Sequence, residues 1–505
     1  MRALLLPLDD RPVTYTYPQL LARVAGVETL VPPRSLFGSL SSSADIEGLS
    51  EWVQNVIAKS NPDALLLCLD TLIYGGLIDS RRSADSNKSV LDRVNVLQSW
   101  QKKATRRLSI YAQASIMRIS DNYDGTEEKP YWARYGREIF AWSSQMHRLM
   151  KGDTLIQGSL AASEARIPAE IRQDYSQTRF RNFQVNQKLV ELVQQSVISR
   201  LTFSLDDSGA TGLNILEKER LTTQVQQANL AKKISTYAGA DEVLGALLAR
   251  WLVDCKSNGR TGPTALVRYN LEEGSSCPSR YEGQTIGDTI TSQLQACGID
   301  VQKEDDRPNP VDFAVIVHTG GTTQGDHILL PGHTDLRQLD TGRSVKKTLE
   351  QIEQSQHPCV LCDVAYANGS DPMLVDELLK RPDLLAKLWS YSGWNTTGNT
   401  TGSALALAVA QWFTGSSGDT NGNLKSCLYV RFADDWAYQS KVRSTLNSNA
   451  SYDNLRNSMK PYLERISEAL NYKPESLTLG FPWNRTFEIE IGLPDTTSSS
   501  LSVAK

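Results

Sequence analysis

The stretch "RLTFSLDDSGATGLNILEKERL", Arg200 to Leu221, opens on an apolar run, passes through two adjacent acids and small residues, and ends in a helix-like pattern. It is one strand–turn–helix step, and the step recurs along the chain. "RALLLPLDD" (Arg2–Asp10), "VETLVPP" (Val27–Pro33), "PDALLLCLDTLIYGG" (Pro62–Gly76) and "RLSIYAQASIMRISD" (Arg107–Asp121) precede it. "KKISTYAGADE" (Lys232–Glu242), "PTALVRYN" (Pro263–Asn270), "VDFAVIVHTGG" (Val311–Gly321) and "HPCVLCDVAYANG" (His357–Gly369) follow. Helix-like stretches such as "DIEGLSEWVQNVIAKS" and "RNFQVNQKLVELVQQSVIS" lie between them. Near-continuous apolar strands alternating with helices indicate an α/β fold with parallel sheet covered on both faces.

The pattern predicts a parallel-strand β/α part, TIM-barrel-like, over residues 1–260, and a second, Rossmann-like α/β part over 261–415. A C-terminal α+β segment over 416–493 completes the fold, with "RTFEIEIGL" as an antiparallel edge strand, and 494–505 reads as a disordered tail. "GSSGDTNGN" reads as a surface loop. In either a barrel or an open sheet, ligands bind beyond the carboxyl ends of the strands.

Composition narrows the function classes. The chain has 505 residues, 53 basic and 57 acidic, with net charge −4. That balance offers nothing to a nucleic-acid backbone. No apolar window is long enough for a transmembrane helix, and "MRALLLPLDDRP" is too short for a signal-peptide core. The expected location is the cytoplasm, without a membrane partner. Seven scattered cysteines argue against a disulfide framework. Cys359 and Cys362 share a C-x-x-C spacing, but strand alternation would aim them at opposite faces. Oligomeric state is not readable.

Polar groups recur at strand ends: Asp9, Asp10 and Arg11 after the first run, Asp70, Tyr74 and Arg81 after the third. Arg118 ends the fourth, Asp206 and Asp207 the fifth, Asp241 and Glu242 the sixth, and Asp363 and Asn368 follow a later one. Each acid is also what a helix N-cap would use. Adjacent carboxylates can divide the work of general acid catalysis, because one charge raises the pKa of its neighbour. That makes Asp206 and Asp207 the candidate catalytic pair, the alternative being a solvated turn. Trp394, Asn395 and Asn399 sit in "SYSGWNTTGNTTG", where an indole could stack on a sugar and the amides could hydrogen-bond it. Asp434 and Asp435 read as a surface or interdomain ion pair. His318, His327 and His333 lack the spacing of a zinc-protease motif.

"PLDDRPVTY", "LCLDTLIYGGLIDSRR", "DDSGATGLNILE", "GADEVLGALLAR", "CDVAYANGSD", "YSGWNTTGNTTG" and "PWNRTFE" together resemble the bacterial family named domain of unknown function four-one-two-seven. The motifs run in order over nearly the whole chain, and the family name implies no activity. A smaller set is similar to O-GlcNAcase-like hexosaminidases: the Asp206-Asp207 pair, "IYGG", "EEKPYWARYGREI" and Trp394-Asn395. Their strand registers differ from that pattern.

The expected function is a glycoside hydrolase-like hydrolase. Asp206 or Asp207 would be the acid, and Asp9, Asp70 and Asp241 would bind hydroxyls. Arg11, Arg81 and Arg118 would bind an acidic substituent, and Trp394 would act as a platform. It needs no cofactor and takes a small-molecule or carbohydrate substrate. The alternatives are a metal-dependent enzyme with Mg²⁺ or Mn²⁺ acting on a small phosphorylated or amide substrate, and a non-catalytic metabolite-binding protein.

Overall fold

The computed structural model describes residues 1–206, 208–257, 262–302, 310–328, 334–415, 422–446 and 451–493. Asp207, His333, most of the glycine-rich loop and the tail 494–505 lie outside the described residues.

The chain divides into two compact units that interleave along the sequence. The first comprises Met1–Asp10, Leu30–Ala240 and Tyr281–Gly283; the second comprises Arg11–Thr29, Asp241–Arg280 and Gln284–Lys505.

The first sheet contains β1 (Arg2–Leu6), β2 (Glu28–Leu30), β3 (Ala64–Cys68), β4 (Ser109–Ile116), β5 (Arg200–Leu205) and β6 (Ile234–Ala238), in the order β2-β1-β3-β4-β5-β6. Every pairing from β1 through β6 is parallel. The strands are buried along almost their whole length, which explains why they read as continuous apolar runs. Leu4, Leu6, Leu65, Leu67, Ile110 and Phe203 join one core with Val53, Leu189 and Val193 from covering helices. The α/β class and parallel strands are as expected. The barrel is not: β2 and β6 stand at the two ends of the order, and no closed barrel is found.

The second sheet contains β7 (Thr264–Tyr269), β8 (Asp300–Val301), β9 (Phe313–His318), β11 (Cys359–Asp363) and β13 (Leu388–Ser392), in the order β13-β11-β9-β7-β8. All four pairings are parallel. The short β10 (Gly325–Asp326) and β12 (Tyr366–Ala367) pair beside it. β14 (Thr478–Gly480) and β15 (Glu490–Gly492) form a separate antiparallel ribbon, so the C-terminal alternating run is not an edge of either large sheet. The helix Thr397–Thr414 is buried from Thr397 through Gln411 and packs on the helices Val243–Ser257 and Ile286–Cys297. Its alanine-rich, all-round apolar sequence is that of a core helix.

Read from its first strand, the second sheet has the doubly wound order 2-1-3-4-5, and the first sheet the order 2-1-3-4-5-6. Such sheets hold ligands beyond the carboxyl ends, where the order reverses. In the first unit that point lies between β1 and β3, and in the second between β7 and β9.

Candidate functional site

In the first unit, the carboxyl ends of β3, β4 and β5 carry a connected charge cluster. β3 runs directly into the short helix Leu69–Tyr74, which is ended by Gly75 and Gly76 at φ 95° and 144°. Only glycine adopts such angles freely, so the "IYGG" stretch is a hard turn. It leads into the helix Leu77–Arg82, which carries Arg81. Arg81 Nη2 donates to Asp206 Oδ2 at 2.6 Å, and Arg118 Nη1 reaches the same oxygen at 3.5 Å. Arg118 Nε donates to Glu128 Oε1 at 2.8 Å, while Arg118 Nη2 lies 3.2 Å from Glu127 Oε2. Arg81 Nη1 touches both Glu127 and Glu128, at 3.6 and 3.5 Å. Two guanidinium groups thus bridge three carboxylates, a net formal charge of −1. Arg81 and Glu128 are buried, whereas the side chains of Asp206 and Glu127 remain 23% and 26% exposed. The open side of the cluster is therefore carboxylate.

Asp70 lies behind this rim, 1% exposed. Its Oδ2 accepts from Gln113 Nε2 at 3.0 Å, Ser115 N at 3.0 Å and Ser115 Oγ at 2.7 Å. Burial raises its pKa, and those hydrogen bonds and the nearby Arg81 charge only partly oppose the rise. The neighbouring Thr71 hydroxyl spans Pro7 O and Leu8 O, tying β3's end to β1's at the reversal of the strand order. The Asp10 carbonyl accepts from Arg34, and Asp9 is buried in the same unit. Tyr74 is buried under the Arg181 guanidinium, with its phenol pKa pushed up by burial.

The helix Ala169–Gln194 holds this rim from behind. Arg179 pairs with Glu217 at 2.8 and 2.6 Å and donates to the carbonyls of Met117 and Arg118. Arg181 donates to the carbonyls of Ser80 and Ser83, Asn182 to Ser80, and Asn186 to Ser115. The backbone bearing Arg81 and Arg118 is thus held by one helix.

The second unit carries its own strand-end groups. Arg11 Nη2 donates to Asp241 Oδ1 at 2.6 Å and Nη1 to Glu488 Oε1 at 3.1 Å. Asn399 Oδ1 accepts from the Asp241 amide at 3.3 Å, and Gln293 donates to Glu242 at 2.8 Å. Trp483, at φ 54°, lies under both Arg11 and Arg485. At the ends of β9 and β11, His318 Nε2 meets Asp371 Oδ2 at 2.9 Å and Nδ1 meets Thr348 Oγ1 at 2.7 Å. The Asn270 Nδ2 amide also faces Nδ1, at 3.2 Å, and the Thr348 hydroxyl lies 3.0 Å from the Ser344 carbonyl. A carboxylate against Nε2 favours a positive charge on the ring. Burial opposes that charge, but Asp371 and Asp363 outweigh it and raise the His318 pKa. Asp363 accepts from the Asp371 amide and from the Tyr391 hydroxyl, and burial pushes its pKa up to about 7.

The candidate residues therefore fall into two sets. Asp206, Arg81 and Arg118 meet directly in the first unit, with Asp70 behind them. Arg11, Asp241 and Asn399 meet in the second. Asp363 joins His318 there, and Asn368 donates to Asp326. The Trp394 ring is buried rather than presented as a platform, while Asn395, at φ 63°, accepts the Asn368 amide through its carbonyl. Asp434 and Asp435 are not a surface pair: both are buried against Arg431 within the second unit. Glu127 and Glu128 join the site from the "EEKPYW" stretch, where no apolar run ends to mark them as site residues. Among the described residues no group of three or more His, Cys, Asp or Glu is placed to hold a metal ion. No helix is long and apolar enough to cross a membrane among the described residues.

The family model for the protein of unknown function DUF4127 matches residues 3–492. This chain belongs to the DUF4127 family. In this DUF4127 chain "LCLDTLIYGGLIDSRR" builds the Asp70–Arg81 rim, and "CDVAYANGSD" carries Asp363 and Asp371. No curated protein and no solved structure matches the chain, so the hexosaminidase analogy gains no support from these comparisons.

Proposed function

We propose that this protein is a hydrolase of the glycosidase type, working at the carboxyl ends of the first sheet. The observation that carries the reading is the arginine-bridged pair of part-exposed carboxylates, Asp206 and Glu127. Bridging by guanidinium groups keeps them within the outer limit of roughly 9.5 Å that paired carboxylates use on a glycosidic bond. Asp206 and Glu127 would share the acid and base roles, Asp207 remaining a candidate alongside them. Asp70, buried behind the rim and with its protonated form favoured by that burial, would hold a proton in reserve rather than touch the substrate. The cluster's net −1 suits the positive charge that develops on a sugar ring in the transition state. Arg81 and Arg118 are already occupied by carboxylates, which argues against their binding an acidic substituent.

The test is turnover of a panel of aryl glycosides and aryl hexosaminides, with and without EDTA. Turnover should survive EDTA and fall by a factor of at least about 100 in both Asp206→Asn and Glu127→Gln. Activity indifferent to both substitutions would end the assignment, and activity abolished by EDTA and restored by Mg²⁺ or Mn²⁺ would favour the metal-dependent alternative. The free state of all seven cysteines suits a reducing, cytoplasmic setting in a bacterium.

A second reading, a metabolite-binding module, is favoured by the doubly wound order of the second sheet. Asn270 and the Thr319-Gly320-Gly321 turn stand at its reversal point. Thermal stabilisation by a metabolite without turnover would mark that outcome.

A further inference from the structure

The C-terminal part of the second unit contains a groove beside the helix Tyr452–Leu470. The helix Tyr452–Leu470 ends at Asn471, whose φ of 44° reverses the chain, so that the segment running into β14 returns along the helix. A cavity of about 560 Å³ lies between them, lined on the helix side by Arg456, Lys460 and Leu463 and on the returning side by Lys473, Leu477 and Leu479. The helix residues are spaced i, i+4 and i+7, one stripe of a single face. Leu463 and Leu479 are nearly buried and form an apolar floor. The volume falls in the range of roughly 300–1,000 Å³ typical of small-ligand sites.

The charges on this groove are unbalanced. Arg456, Lys460 and Lys473 face one acid, Glu464. Glu464 lies 4.0 Å from Lys460, with both side chains about 70% exposed, a geometry that contributes little. Neither Arg456 nor Lys473 is ion-paired among the described residues. The cations stand on both walls over an apolar floor. That combination recognises one charge and one greasy body in the same molecule.

We propose that this groove binds a small amphiphilic anion: a carboxylate or phosphate ester, held between Lys460 and Lys473, on an aliphatic or aryl body lying over Leu463, Leu477 and Leu479. The cation pair sets the position of the head group, and the leucines supply the burial.

The probe is decanoate, titrated below its micelle concentration into the full-length protein by calorimetry, with decanol, acetate and phosphatidylglycerol vesicles as comparison arms. Decanoate should bind one to one. Decanol and acetate should each bind at least tenfold more weakly, and vesicles should not be retained. The charge reversals Lys460→Glu and Lys473→Glu together should weaken decanoate at least tenfold, Lys473→Arg should restore it, and Leu477→Asp should weaken it independently. Equal affinity for decanol would overturn the anion requirement, and equal affinity for acetate would overturn the apolar floor. Binding to vesicles alone, or no binding of decanoate, would overturn the site.

Discussion

Arg81 is the residue on which the first unit's rim depends. Its side chain is 1% exposed and reaches Asp206, Glu127 and Glu128 at once. Removing one partner of a buried ion cluster leaves charge uncompensated in a low dielectric, which costs about 3–5 kcal/mol. Arg81→Met should therefore lower the urea-unfolding free energy by that amount. Asp206→Asn keeps an acceptor facing Arg81 at a part-exposed position, and should cost about 1 kcal/mol. Equal costs for the two would mean that Arg81 does not organise the cluster. Asp363 sets a second residue-scale expectation. Its folded pKa, about 7, lies above the usual carboxyl value, so the folded state binds more protons than the unfolded state between roughly pH 4 and 7. Its contribution to stability is full below that window and is lost as pH rises through it. In Asp363→Asn, stability should fall less steeply across the window than in the parent, by up to about 1.4 kcal/mol per pH unit. Parallel curves for the two proteins would refute a titrating Asp363.

The helix Ala169–Gln194 shows what an element contributes that its pattern conceals. Periodicity identifies it as a helix, since Val185, Leu189, Val190 and Val193 face the core. Periodicity does not announce that Arg179, Arg181, Asn182 and Asn186 are also buried, because long polar side chains ordinarily mark the solvated face. They are buried because backbone carbonyls at the ends of β4 and around Arg81 need donors that no neighbouring strand supplies. Arg179→Met should cost about 3–5 kcal/mol by stranding Glu217. Adding Glu217→Leu should recover only part of that loss, because the Met117 and Arg118 carbonyls stay unpaired at about 1–3 kcal/mol each. A double variant as stable as the parent would show that the helix does not hold those carbonyls. The same blindness explains the site. Strand ends at Asp70, Arg118 and Asp206 were legible because apolar runs stop there. The buried His318–Asp371 pair and the partnership of Glu127 with Arg81 join residues far apart in the chain, and no local spacing encodes them.

At the scale of the molecule, alternating apolar runs and helices revealed the α/β class but not the strand order, because order depends on which crossover passes over which face. The two units interleave along the sequence. Arg11–Thr29 leaves the first unit between β1 and β2 and contributes the helix Thr16–Val24 to the second, where Tyr17, Leu20, Leu21 and Val24 are buried. That helix packs on Thr397–Thr414, as does Val243–Ser257. Conversely, Tyr281–Gly283 returns to the first unit, where the Tyr281 and Glu282 carbonyls accept from Ser208 beside Asp206. A fragment of residues 1–260 would keep both helices without the helix that covers them. Four large side chains of Thr16–Val24 alone, at about 1.5–3 kcal/mol each, stand to lose up to about 10 kcal/mol of burial. That equals the whole stability of a typical domain, about 5–15 kcal/mol. The fragment should therefore elute as an aggregate in size-exclusion chromatography and show no cooperative thermal transition, whereas the full chain shows one or more. A monodisperse, cooperatively melting fragment would mean that the first unit folds without the segments that interleave with it. The Ser208 contacts at the rim would then be dispensable for folding, and any effect of deleting Tyr281–Gly283 would be read in turnover alone.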